Sequence, residues 1–247
     1  MKDGCLLNRW TMKMRWLQSG MKVVVSGALC AGSLAVQAQH GHLNAGAAST
    51  AGGSQVVWAN GSLFADASGY VGAMPKATSG VYMGYYNSGP TFTALPATIA
   101  NGGPSGGASA LGSFLEFSYT LVSAPEGGAF SFWDHGATAP TSSMTVGQTS
   151  GLFALSGGED NPAAGTVGAD PYGHIHGRRF TADLPGDYVV AFQAFDTSAN
   201  GAGGGPIHTP SLPLNIRFRV IPEPGPVALL AFGGLLLVGV LNHRRNS

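Results

Sequence analysis

Between residues 39 and 220 the apolar positions alternate or come in short runs bounded by Gly, Pro, Asn and Ser. No helical period of useful length occurs there, so the pattern predicts strands. The candidates are Gln55–Ala59, Ser62–Ala65, Val81–Tyr86, Thr91–Leu95, Phe114–Val122, Ala129–Trp133, Leu152–Ser156, Ile175–Ala182, Tyr188–Phe195 and Leu214–Val220. In Phe114–Val122, Leu115, Phe117, Tyr119 and Leu121 share one face. In Tyr188–Phe195, Tyr188, Val190, Phe192 and Ala194 share one face, and Val189, Ala191 and Gln193 the other. Two stretches, Gly41–Ser54 and Pro96–Gly112, are small, polar or glycine-rich and read as loops. Short strands with turn-rich connections predict an all-β fold, an antiparallel β-sandwich.

The sharpest local signal is a hairpin over Arg179–Phe195. Its turn, Leu184-Pro185-Gly186-Asp187, fits a type II geometry with glycine at positive φ. Tyr188, just past it, resembles the tyrosine corner of Ig-like and Greek-key sandwiches. A plain core tyrosine is the alternative.

Two largely apolar runs flank this region. Lys13, Arg15 and Lys22 precede Val23–Val36, and Val36-Gln37-Ala38 supplies small residues at −3 and −1. Residues 1–38 therefore read as a secretory signal peptide cleaved after Ala38, which implies the Sec machinery. Met12, Met14 and Met21 are in-frame alternatives to Met1, and Leu29 before Cys30 argues against lipidation. At the other end, residues 226–241 read as a transmembrane helix of about 24 Å at ~1.5 Å per residue. That is short against a hydrocarbon core of ~30 Å. Arg244 and Arg245 follow it and are expected to stay cytoplasmic. The prolines at 222, 224 and 226 keep the segment before it extended, as a protease requires.

Pro222-Glu223-Pro224, one short helix with Gly233-Gly234 and a terminal basic cluster, all within 221–247, resemble the PEP-CTERM sorting signal of Gram-negative bacteria. The resemblance implies transient anchoring in the inner membrane and handling by an exosortase that cleaves near the Pro-Glu-Pro. The product would reach the cell surface or extracellular matrix, with exopolysaccharide as a candidate partner. An ordinary C-terminal anchor is the alternative.

These assignments change the charge picture. The whole chain is formally neutral. Residues 39–224 hold eleven acids against five Lys and Arg, a net charge of about −6. Such a domain is a poor nucleic-acid binder, because phosphate contacts need clustered cations. Both cysteines, Cys5 and Cys30, lie in the leader, so no disulfide is expected in the exported domain 39–220.

Candidate chemistry rests on histidines. His174-Ile175-His176 places two imidazoles on one strand face, where they can hold one metal ion. A third ligand is expected from His135, at the end of Ala129–Trp133, and a fourth from His208 in the glycine-rich loop. Such a set suits zinc first, with copper or nickel as alternatives. Asp134, Asp170 and Asp196 are candidate second acceptors or ligands. His40-Gly41-His42 is a weaker second pair in a segment that also reads as a flexible tail. Unrelated surface histidines remain the alternative throughout.

Catalytic motifs fail. Gly103-Pro104-Ser105-Gly106-Gly107 matches G-x-S-x-G but lacks the flanking strand and helix of a nucleophile elbow. Gly201–Gly205 lacks a βαβ setting. Glu159-Asp160 reads as a solvated loop rather than half of a carboxylate pair.

A second resemblance covers 170–211. Asp170-Pro171-Tyr172-Gly173-His174-Ile175-His176-Gly177-Arg178-Arg179-Phe180-Thr181 and Gly203-Gly204-Gly205-Pro206-Ile207-His208-Thr209-Pro210-Ser211 look like a group of PEP-CTERM proteins, some associated with zinc limitation. The region is also loosely similar to a surface-anchored repeat that accompanies metal-uptake systems in actinobacteria. Both imply metal handling and neither implies catalysis. The expectation is a non-enzymatic, exported, surface-associated metal-binding protein. A matrix component with incidental histidines and a metal-dependent enzyme are the alternatives.

Overall fold

The computed structural model describes residues 41–97 and 107–221. The leader with Ala38, His40, the Pro222-Glu223-Pro224 strip, the expected helix at 226–241 and the Arg244-Arg245 pair lie outside these residues. So does most of the Gly103–Gly107 match. The described chain is all-β, with only 3₁₀ turns for helix.

Three sheets form. The first contains β1 (His42–Ala47), β2 (Val56–Trp58), β5 (Thr91–Ala94) and β10 (Gly173–His174), in the order β10-β5-β1-β2. The second contains β4 (Tyr86–Ser88), β7 (Phe130–Trp133), β8 (Ser142–Met144) and β11 (Arg179–Ala182), in the order β4-β11-β7-β8. The third contains β3 (Val71–Met74), β6 (Leu115–Ser123), β9 (Phe153–Ala154), β12 (Gly186–Asp196) and β13 (Leu214–Val220), in the order β3-β13-β12-β6-β9.

Residues from all three sheets meet in one core. Strand β12 shows how sequence builds it. Tyr188, Val190, Phe192 and Ala194 are fully buried, while Val189, Ala191 and Gln193 on the other face are partly exposed. Its neighbours β6 and β13 repeat the alternation, contributing Leu115, Phe117, Tyr119, Leu121, Ile216 and Phe218. The centre is aromatic. Phe92 stacks on Phe117 with ring centroids 4.6 Å apart, and Phe130 stacks on Phe180 at 5.6 Å. Each such side chain contributes about 1.5–3 kcal/mol on burial, which compensates for a chain so rich in glycine.

Several expectations need correction. Two strand pairs are parallel, β1 with β5 and β13 with β3, so the sheets are not purely antiparallel. The stretch Gly41–Ser54 is not a loop, because β1 lies between β5 and β2. Gly46 permits this: a Cβ there would meet the Gly107 carbonyl oxygen at 1.5 Å, and the same oxygen accepts the Ala47 N–H at 2.9 Å. Within Ser62–Ala65 the chain forms a 3₁₀ turn over Gly61–Leu63. Val81–Tyr86 is mostly turn and leads into β4. Ile175–Ala182 breaks at a turn through His176 and Gly177, with Gly177 at φ +76°.

The hairpin over Arg179–Phe195 is also not a hairpin. β11 pairs with β4 and β7, whereas β12 pairs with β6 and β13, so Leu184–Asp187 is a corner between two sheets. Gly186 does take positive φ, at +132°, as the turn requires. The Tyr188 hydroxyl donates to the Leu184 carbonyl at 2.9 Å and accepts the Leu184 N–H at 3.2 Å. This ties the new strand back to the corner that precedes it. Burial pushes the Tyr188 hydroxyl up to about 12.

Candidate functional site

The first sheet assembles the histidines. In β5, Phe92 and Ala94 turn into the core and leave Thr91 and Thr93 on the outer face. In β1, Leu43 and Ala45 turn inward and leave His42 outside. The register places His42 beside Thr91, and His174 of β10 beside Thr93. Two histidines distant in sequence therefore stand on one face, on either side of β5. Their rings meet edge to face with centroids 4.7 Å apart. His176, in the turn after β10, stacks on His174 at 4.4 Å with the planes 22° apart.

Glycine positions this turn. A Cβ on Gly173 would meet the Leu155 carbonyl oxygen at 2.1 Å and the Ser156 backbone at 2.6 Å. Only glycine lets β10 lie this close to that backbone. Gly177 then reverses the chain into β11 with its positive φ.

The trio opens onto a pocket of about 280 Å³ lined also by Thr91, Arg178 and Arg179. His42 Nδ1 lies 3.0 Å from the Thr93 hydroxyl. With Nδ1–H donated there, the Nε2 lone pair of His42 stays available. Neither His174 nor His176 has a hydrogen bond to its ring among the described residues. His174 is held below the ordinary histidine value, first by burial and then by the adjacent His42 and His176, with Asp160 opposing. Neutral imidazole is the form that binds metals.

As positioned, the three rings form an aromatic cluster, one contact edge to face and one stacked, and not a coordination sphere. Among the described residues no group of three or more His, Cys, Asp or Glu side chains is arranged to hold a metal ion. Ligand nitrogens must converge at ~2.0–2.1 Å from a zinc ion.

His208 does not join the trio. It is 1% exposed and both ring nitrogens are committed. The Ala110 N–H donates to Nε2 at 2.9 Å, which assigns the proton to Nδ1, and Nδ1–H donates to Ser54 Oγ at 2.9 Å. Ser54 Oγ in turn donates to the Ser49 carbonyl at 2.6 Å. No lone pair remains for a metal.

His135 borders the trio without entering it. Its Nδ1–H donates to the His176 carbonyl at 2.8 Å. With Glu159, Asp160, His174 and His176 it lines a second pocket of about 130 Å³. The three candidate aspartates also bond elsewhere. Asp134 pairs with Arg178 at 2.7 Å, and Asp170 accepts the N–H groups of Ala97 and Tyr172. Asp196 is buried and accepts four backbone N–H groups, from Phe114, Ser198, Ile207 and His208. It fastens the glycine-rich loop to the end of β12.

Thus the structure brings His174 and His176 together with His135 in one pocket, adds His42 from the weaker pair in the other, and separates His208 from them. The missed signal was the alternation Leu43, Ala45, Ala47, which puts His42 on an outer face. Comparison with known protein families, curated proteins and solved structures finds no match, so the geometry carries the functional argument.

Proposed function

We propose that the chain is an exported, surface- or matrix-associated, non-enzymatic protein that binds a transition metal, zinc first, through His42, His174 and His176. The observation that supports this is the meeting of three imidazoles from two distant segments at the mouth of one pocket. Three neutral nitrogen donors suit zinc, copper or nickel. The Thr93 hydroxyl would orient His42 as outer partners commonly orient metal-binding histidines. We further infer a β-sandwich architecture, supported by one core shared between sheets and by the Tyr188 corner.

The test is a melting curve of the full chain with zinc, copper, nickel and chelator. Zinc at 100 times Kd should stabilise by about 2.7 kcal/mol. His42→Ala, His174→Ala and His176→Ala should each remove that shift, whereas His135→Ala and His208→Ala should retain it. Identical melting under all four conditions would reject the metal reading. The matrix-component reading would then take its place; the face-to-face stack of His174 on His176 favours it, since such rings contribute without any metal.

Sorting is part of the proposal. It is supported by the sequence of the tail and predicts that changing Pro222-Glu223-Pro224 to alanines leaves the protein uncleaved in the membrane. Normal maturation of that variant would refute it.

A further inference from the structure

We propose that the pocket facing the histidine trio is a carboxylate site anchored by Arg179, and that the bound carboxylate supplies the fourth donor when a metal occupies the trio. The second half rests on the metal reading; the first does not.

The argument starts from charge. In a region where acids outnumber bases eleven to five, every cation has a large choice of partners. Arg217 pairs with Asp66 and Asp187, Arg219 with Asp187, and Arg178 with Asp134. Lys76 lies over the Tyr86 ring at 5.8 Å. Among the described residues, Arg179 is the one arginine with no carboxylate in ion-pairing range. It is half-buried, its guanidinium lies against Gly89, and it lines the pocket with His42, Thr91, His174 and His176.

No acidic side chain lines that pocket. Glu159 and Asp160 line the neighbouring pocket, which shares His174 and His176 with this one. An uncompensated guanidinium beside three imidazoles makes a local positive field on a domain of negative net charge, and such a pocket concentrates anions. The planar fork of a guanidinium matches a carboxylate through two parallel hydrogen bonds. The Thr91 hydroxyl adds a further donor.

Metal binding would raise this preference. Three neutral imidazoles leave a divalent ion with its full charge, and a site with three protein ligands keeps one position for an outside donor. The pocket, at about 280 Å³, admits a carboxylate with one ring-sized group. A longer ligand would extend into solvent. The class is therefore an organic acid, either free or displayed along a polymer.

The test is calorimetric titration of the full chain, metal-free, with glucuronate and with glucose as the neutral control. Glucuronate should bind and glucose should not. Arg179→Gln should weaken glucuronate at least about tenfold, as expected for losing one half of a charge pair. Arg179→Lys should weaken it less. Because Arg179 opens β11, Thr91→Glu serves as an independent variant that places an opposing carboxylate from β5; it should weaken binding by a similar factor. Equal heats for glucuronate and glucose, or wild-type affinity in both Arg179→Gln and Thr91→Glu, would overturn the carboxylate site.

A second arm uses the cobalt-loaded chain, whose visible bands should shift when glucuronate is added. Loaded cobalt with unchanged bands would overturn the fourth-donor half. Failure to load cobalt would overturn the metal reading and that half together, while the metal-free titration still decides the carboxylate site. Trigalacturonate binding more tightly than glucuronate would identify a polymer-borne acid, and equal affinity a free one.

Discussion

His208 and the trio of His42, His174 and His176 are the same chemical group put to opposite uses. His208 sits under the glycine-rich loop with both nitrogens spent, one on a backbone N–H and one on a hydroxyl. His42 and His174 stand on the outer face of a small sheet with His176 in the adjoining turn; all three line a pocket, and the rings of His174 and His176 have no hydrogen-bond partner among the described residues. Counting histidines would treat all four alike. Accounting for each lone pair and each proton separates a histidine that holds the fold from one able to bind something else. The loop makes the difference: Asp196 draws Ile207 and His208 inward by their N–H groups, and burial follows.

The largest effect should come from His208→Ala. It would empty a buried site and leave the Ala110 N–H without its acceptor, while the Ser54 hydroxyl keeps its bond to the Ser49 carbonyl. Losing the acceptor of one enclosed N–H costs ~1–3 kcal/mol, so a net loss in that range is expected, read as a lower urea midpoint. His42→Ala should change stability by under about 0.5 kcal/mol, as is usual at partly exposed positions without special roles. Equal stabilities for the two variants in metal-free buffer would break the comparison.

Sequence patterning made part of this legible. Strands β6, β12 and β13 combine length with large residues at every second position, and burial of those residues dominates any local preference. The same pattern in β1 uses Leu43, Ala45 and Ala47 around a glycine. Small side chains bury little area, so β1 owes its existence to its partners β5 and β2 and to the close approach at Gly46. That is tertiary information, and His42 was undervalued with it. The pair His174 and His176 was legible from spacing, although His176 lies in a turn and not on the strand. Nothing local in Gly203–Ser211 announces that His208 would be enclosed. The Leu184–Asp187 turn was legible as a turn, but its local chemistry does not state which sheet the next strand will join.

The smallest effect, and the finest probe of the comparison, is pH. His174 and His208 are both held below the reference value of 6.5, and in both the first cause is burial. For His174 the second cause is the neighbouring His42, then His176, with Asp160 opposing; for His208, Asp196 and Ser54 oppose. In each case the unfolded chain takes up its proton at a higher pH than the folded one. Between the folded value and 6.5 the unfolded state therefore binds more protons, and stability rises with pH across that window. The contribution is complete above about 6.5 and is lost as pH falls through the window. The two histidines should differ in what tunes them. His42→Ala removes a like charge facing His174, so His174 should titrate at higher pH in the folded state and lose less stability in acid. His208 should be unmoved, because its shift comes from enclosure. Histidine proton chemical shifts followed between pH 7.5 and 5 in chelator-treated buffer would resolve both groups. If His42→Ala leaves the His174 midpoint where it was, the rings do not interact in solution, and the trio reduces to the His174–His176 pair.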